Sequence, residues 1–98
     1  MRQATPKRSR VDLYAEVLQV ITRYPEGARI TRLSYGVGMP VDRLKRLLES
    51  LVSYSLVHRI EEDEEVVYRV TPRGLDFIDT YWKMNGFLEE FGQGSGQE

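Results

Sequence analysis

Hydrophobic residues recur at helical spacing as far as about Tyr54, and beyond it the period shortens to that of strands. Leu13, Val17, Val20 and Tyr24 lie three or four apart, with Tyr14, Leu18 and Ile21 beside them, which predicts an amphipathic helix. Ser9 and Asp12 have the spacing of a capping box, so this helix opens at Ser9 and runs to about Tyr24, where Pro25-Glu26-Gly27 ends it. Ile30 to Tyr35, with Ile30 and Leu33 three apart, predicts a brief second helix broken by Gly36-Val37-Gly38. Pro40 suits the start of a third helix, because its missing N–H would be unpaired there anyway. From Val41 to about Tyr54, Leu44, Leu47, Leu48 and Leu51 form one stripe edged by Val41 and Val52, while Asp42, Arg46, Glu49 and Ser53 lie opposite.

Leu56 to Ile60 and Val66 to Val70 are short runs rich in Val, Ile and Tyr, separated by the acidic stretch Glu61 to Glu65. They predict two strands of a hairpin with a polar tip at Glu62 to Glu64. Thr71-Pro72 reads as the cap and first turn of a last helix. Its apolar positions run from Leu75, Phe77 and Ile78 through Tyr81, Trp82 and Met84 to Phe87, Leu88 and Phe91. Asn85-Gly86 is a point where this helix ends, bends or merely weakens. The expected organisation is a flexible basic arm over residues 1–8, a helical domain with a small β-hairpin over 9–71, a long C-terminal helix over 72–91 and a disordered, low-complexity tail over 92–98. The chain is thus mainly α, with no internal repeat.

A chain of 98 residues makes one small domain. Such a domain buries only about 60–65% of its unfolded surface, and a second copy is the usual source of extra stability. The 41% of hydrophobic residues is too high for a disordered chain and too low for a membrane protein. No apolar run approaches the roughly 20 residues that span a bilayer. Met1 to Arg10 is polar and basic with no hydrophobic stretch behind it, unlike a secretory signal, and the absence of cysteine excludes disulfides and thiolate metal sites. A cytoplasmic protein is expected. The net charge of −1 conceals an asymmetry: residues 1–60 carry eleven Lys/Arg against five Asp/Glu, and residues 61–98 carry three against ten. The basic part suits a polyanion, and the acidic part suits something else. Pairing of the two within the fold or across a dimer accounts for the same charges.

Helix, short helix, turn, longer helix, hairpin and helix is the element order of a winged helix-turn-helix, in which the third helix enters the DNA major groove and the hairpin tip, or wing, reaches the nearby backbone. The stretch Tyr68-Arg69-Val70-Thr71-Pro72-Arg73-Gly74-Leu75-Asp76-Phe77-Ile78 resembles the strand-into-helix signature of winged-helix regulators. Asp12-Leu13-Tyr14-Ala15-Glu16-Val17-Leu18 and Leu44-Lys45-Arg46-Leu47-Leu48-Glu49-Ser50-Leu51 extend the match. Together, residues 10–91 resemble the small archaeal winged-helix DNA-binding proteins of the ten-kilodalton Sulfolobus chromatin type. That resemblance implies a homodimer joined by an antiparallel coiled coil of the two last helices, with a winged helix at each end, associated with the nucleoid. Two departures stand out. Relatives commonly have glycine just after the third helix where this chain has Ser55, so the turn must be strained or differently shaped. Glu61-Glu62-Asp63-Glu64-Glu65 also places five acids at the wing, where phosphate would repel them.

For DNA contact the candidates are Arg46, at the middle of the third helix's exposed face, and Arg43 and Lys45 flanking it. Arg29 and Arg32 near the start of the second helix, and Lys7, Arg8 and Arg10 with Arg2 in the arm, join them. An ordinary solvated helix face explains part of this pattern, since Asp42/Arg46 and Lys45/Glu49 are i,i+4 pairs. For a dimer interface the candidates are Leu75, Ile78, Tyr81, Trp82, Leu88 and Phe91. His58, the one histidine, has no nucleophile motif beside it and reads as a strand residue; Gly36-Val37-Gly38 lacks the rest of a phosphate-binding loop; the acidic run lacks EF-hand spacing. No catalytic residue, metal or cofactor is expected. The expected function is double-stranded DNA binding by a homodimer, as a transcriptional regulator or chromatin component. The competing reading is a protein-interaction module whose acidic wing meets a basic partner.

Overall fold

The computed structural model describes the backbone of residues 9–96 and the side chains of residues 9–90. The elements follow in the order α1 (Arg10–Thr22), α2 (Ile30–Val37), α3 (Val41–Ser53), β1 (Val57–Glu62), β2 (Glu65–Val70) and α4 (Pro72–Gly96). Helix α1 starts at the expected capping box: the Ser9 hydroxyl accepts the Asp12 N–H at 3.1 Å, and the Asp12 carboxylate accepts the Ser9 N–H at 3.1 Å. One apolar face of each of the first three helices meets at a common centre. Val17, Leu18, Ile21, Leu33, Leu44, Leu48, Leu51 and Val57 are fully buried there. Each such side chain contributes roughly 1.5–3 kcal/mol relative to exposure, so this core is the main source of stability.

The hairpin is antiparallel, in register from Val57 opposite Val70 to Glu62 opposite Glu65. Its strands run into the acidic stretch, leaving a two-residue turn at Asp63 and Glu64, with φ of 50° and 65°. The hairpin is therefore longer than the apolar runs suggest, because ladder hydrogen bonds join backbones whatever the exposed side chains are. A further β-bridge was not legible in the sequence. Ala28 and Tyr68 exchange N–H···O bonds of 3.0 and 2.8 Å, which ties the α1–α2 connection to the hairpin as a third, minimal strand.

Helix α3 ends in a Schellman motif: the Ser55 N–H bonds to the Val52 carbonyl and the Leu56 N–H to the Leu51 carbonyl, each at 2.9 Å. This forces Ser55 into the left-handed region, at φ 63°, so the strain expected for a non-glycine residue there is present. The start of α4 clamps the same turn. Arg73 Nε donates to the Tyr54 carbonyl at 3.1 Å, Thr71 Oγ1 to the Ser55 carbonyl at 2.7 Å, and the Thr71 N–H to the Leu56 carbonyl at 3.1 Å.

Helix α4 continues unbroken through Asn85-Gly86 and on to Gly96, past Phe91, where the sequence puts its end and the start of a disordered tail. Once a helix is nucleated each further residue adds a hydrogen bond, so a weak helix former need not end it. Its first half lies on the domain, with Phe77 and Ile78 packed against the core and the Tyr81 hydroxyl donating to Asp12 Oδ1 at 2.5 Å. At about 1.5 Å per residue its 25 residues span about 37 Å, and the molecule measures 59 × 30 × 21 Å. No helix among the described residues is long and apolar enough to cross a membrane.

Candidate nucleic-acid interface

The outer side of α3 is built by its own leucine stripe. With Leu44, Leu47, Leu48 and Leu51 held in the core, Asp42, Arg43, Lys45, Arg46 and Glu49 are turned to solvent. The i,i+4 pairs that could have neutralised this face are not formed. Ion pairs among the described residues are Arg29–Glu65 at 3.6 Å, Arg59–Glu61 at 3.9 Å and Lys83–Asp79 at 3.0 Å, and none involves Arg43, Lys45 or Arg46. Surface pairs of this kind are worth only about 0.2–0.5 kcal/mol, too little to immobilise two long side chains.

The cations of α3 divide between two grooves. Arg43 and Arg46 share one with Arg10 of α1. Lys45 and Glu49 border the other, between α3 and the hairpin, where Ile30, Val41, Val52, Val66 and Tyr68 form a mostly apolar floor and Arg59 faces α3 from β1. Arg59 was missed from sequence. Two residues beyond buried Val57, it lies on the same face of the strand, and that period of two was the available signal. Tyr35, near the end of α2, is 92% exposed.

The remaining candidates are placed as follows. Arg29 occupies the N-cap position of α2 and pairs with Glu65 at the base of the wing turn, so one wing acid answers a cation of the same chain. Arg32 stacks over the Tyr24 ring with its guanidinium 5.4 Å from the centroid. Lys7 and Arg8 lie outside the described residues. Glu62, Asp63 and Glu64 are exposed at the tip, and Glu62 stands opposite Glu65 across the ladder. His58 is exposed on β1.

On α4 the six candidate interface residues fall into two groups. Ile78 and Tyr81 are half-buried against their own domain, whereas Leu75, Trp82 and Leu88 are about half exposed; the Phe91 side chain lies outside those described. Met84 and Phe87 are exposed to a similar degree, on the face of the helix that carries Leu88 and away from Leu75 and Trp82. Tyr81 and Trp82 meet edge to face, with centroids 5.3 Å apart.

Three helices with a short α2 and a solvent-facing α3, followed by a two-stranded hairpin and a fourth helix, define a winged helix-turn-helix. The chain belongs to the winged helix-turn-helix family, whose sequence profile matches residues 7–89. No curated protein matches the sequence. Among solved structures it is similar to Sso10a-2, a DNA-binding protein from Sulfolobus solfataricus, with a TM-score of 0.68 and 21% identity over 85% of this chain and 88% of that one. It is similar too to MepR, a transcription regulator of the Staphylococcus aureus multidrug efflux pump MepA (TM-score 0.72, 12% identity, 86% of this chain and 64% of that one). A MarR family transcriptional regulator from Silicibacter pomeroyi has a TM-score of 0.68 and 24% identity over 88% of this chain and 58% of that one. The chain thus spans about three-fifths of the length of these two regulators and nearly all of the Sulfolobus protein. At these identities the likeness is one of fold.

Proposed function

We propose that this protein binds double-stranded DNA as a homodimer, as a transcriptional regulator or chromatin component, and is a binding protein rather than an enzyme. The observation that carries the reading is the exposure of Arg43, Lys45 and Arg46 on α3, none of them ion-paired among the described residues although Asp42 and Glu49 share that side, with Arg10 flanking on one side and Arg59 on the other. In this motif α3 enters the major groove while α2 crosses the backbone, where Arg29 and Arg32 would meet phosphate. Lys7 and Arg8 would extend the contact from the arm. The second copy would pack along α4 and cover Leu75, Trp82 and Leu88. A cytoplasmic, nucleoid-associated location accompanies this reading.

Salt dependence tests it. If a dimer neutralises about six phosphates, log affinity falls against log salt with a slope near −5. Arg46→Ala and Arg43→Ala weaken binding while thermal unfolding stays unchanged. No duplex binding at about 50 mM salt, where the electrostatic contribution is strong, would sink the reading. The acidic wing supports the other reading, a module for a basic protein partner; in that case wing substitutions abolish partner binding and α3 substitutions do not.

A further inference from the structure

Helix α3 carries Val41, Lys45, Glu49 and Val52 along one flank, at the i, i+4, i+8 and i+11 spacing that holds one side of a helix for about 16 Å. Across an open groove of about 600 Å³ stand Arg59 of β1 and Val66 and Tyr68 of β2, with Ile30 of α2 completing the floor. Small-molecule sites are typically clefts of about 300–1,000 Å³, mostly apolar with a few convergent polar groups. This groove has that character. The groove on the other flank of α3 differs, with three arginines and Leu13 and Leu47 as its apolar lining.

The floor is aliphatic and incompletely covered. Val41 is 37% exposed, and Ile30, Val52 and Val66 are half-buried at the margin of the core. Single apolar residues on a surface are ordinary, but four that meet in one concavity gain by burial against an apolar body. Phosphate, which is held by cations, gains nothing from such a floor.

The charges at the rim complete the pattern. Arg59 lies directly opposite Tyr68 on the hairpin ladder, so the two side chains share the strand face that borders the groove. Lys45 comes from the helix and has no ion pair among the described residues. Arg59 meets Glu61 at 3.9 Å with both side chains well exposed, a contact weak enough for another anion to displace. Glu49, one turn beyond Lys45, is the acid that borders the groove. Two cations against one acid, over an aliphatic floor, complement a molecule with one anionic head and an apolar body.

We propose that the groove between α3 and the hairpin is an effector site for a small aliphatic carboxylate. Its head lies between Lys45 and Arg59, its body rests on Ile30, Val41, Val52 and Val66, and its binding competes with duplex DNA. The site stands apart from the DNA-binding reading, whereas the competition rests on it: ligand and duplex both draw on Lys45, so each weakens the other reciprocally.

The test titrates the full chain with sodium hexanoate, with sodium acetate at equal ionic strength and with hexan-1-ol. The valine methyl and arginine Nε–H resonances are followed by NMR, and duplex affinity is measured in parallel. Hexanoate should move Val41, Val52, Val66 and Arg59 along one binding curve. Acetate, which lacks the body, and hexan-1-ol, which lacks the charge, should each bind at least about tenfold more weakly. Arg59→Gln and Lys45→Gln should each weaken hexanoate by about threefold to tenfold, as for one hydrogen bond to a charged group. Val41→Thr, at an exposed position, should weaken hexanoate and leave acetate unaffected. Hexanoate binding no tighter than acetate or hexan-1-ol, or wild-type hexanoate affinity in both Arg59→Gln and Lys45→Gln, would overturn the site. Valine resonances that move with protein concentration instead of ligand would identify a second copy as the occupant, and the proposal would fall. Hexanoate bound on the expected curve with duplex affinity unaltered would refute the competition. The same curve in a chain that binds no duplex would establish the site while removing the DNA reading.

Discussion

The Thr71 hydroxyl donates a 2.7 Å hydrogen bond to the Ser55 carbonyl and accepts a 2.9 Å bond from the Gly74 N–H. One side chain thus caps α4 and holds the end of α3, the helix that carries the candidate interface. Thr71→Val keeps the shape and leaves both partners unsatisfied in a buried place. It should cost about 2–3 kcal/mol, lowering the melting temperature by on the order of 10 °C or more. Thr71→Ser should recover most of the loss in the same thermal melt.

Gly74 is there for space. A Cβ at this position would stand 2.3 Å from the Leu56 carbonyl oxygen and 2.7 Å from Val70 Cγ2. Gly74→Ala should destabilise by about 1–3 kcal/mol through overpacking, despite alanine's higher helix propensity. Gly86, further along the same helix, has nothing within 4 Å of an added Cβ. Gly86→Ala should therefore stabilise by about 0.5–1 kcal/mol. Equal effects of the two substitutions in chemical denaturation would contradict this account.

Ser55 carries left-handed strain at φ 63°. Ser55→Gly removes a penalty of about 1–2 kcal/mol but adds entropy to the unfolded chain. The net expectation is a gain of up to about 1 kcal/mol, seen as a rise of a few degrees in the melting temperature. Ser55→Val, β-branched in the same conformation, should lower it.

The far half of α4 should be a dimer contact. Met84, Phe87 and Leu88 are each about half exposed and share one face of the helix, while Trp82, also about half exposed, lies on another face beside α1. Truncation after Met84 should shift the mass measured by sedimentation toward monomer and lower thermal stability. The melting temperature of the full chain should rise with protein concentration. A monomeric full chain at micromolar concentration rules this interface out.

At the wing, Glu62→Gln with Asp63→Asn and Glu64→Gln removes the tip charges while leaving Glu65 paired with Arg29 and Glu61 with Arg59. If the wing approaches DNA, the variant should bind more tightly at low salt, by about 1–3 kcal/mol from simple Coulomb repulsion. The gain should shrink as salt rises and screens the charges. Unchanged affinity means that the wing points away from the duplex. Weaker binding means that an acid reads a base amino group or holds a bridging cation.

Much of the fold was legible because its signals are local. The Ser9–Asp12 capping box, the leucine stripe of α3 and the Thr71-Pro72 start of α4 each lie within a few residues, and each decides a hydrogen bond or a buried face by spacing alone. The charge and exposure of Arg43, Lys45 and Arg46 follow from the same stripe. Contacts between residues far apart in the chain left no such mark. The Ala28–Tyr68 bridge, the Arg29–Glu65 pair, Arg59 beside the Lys45 groove and the meeting of Arg10 with Arg43 and Arg46 all depend on how the elements cross. Sequence alone decided which faces are apolar, since burial follows periodicity. Which cations share a groove was decided only when the placing of α1 and the hairpin beside α3 set their separation.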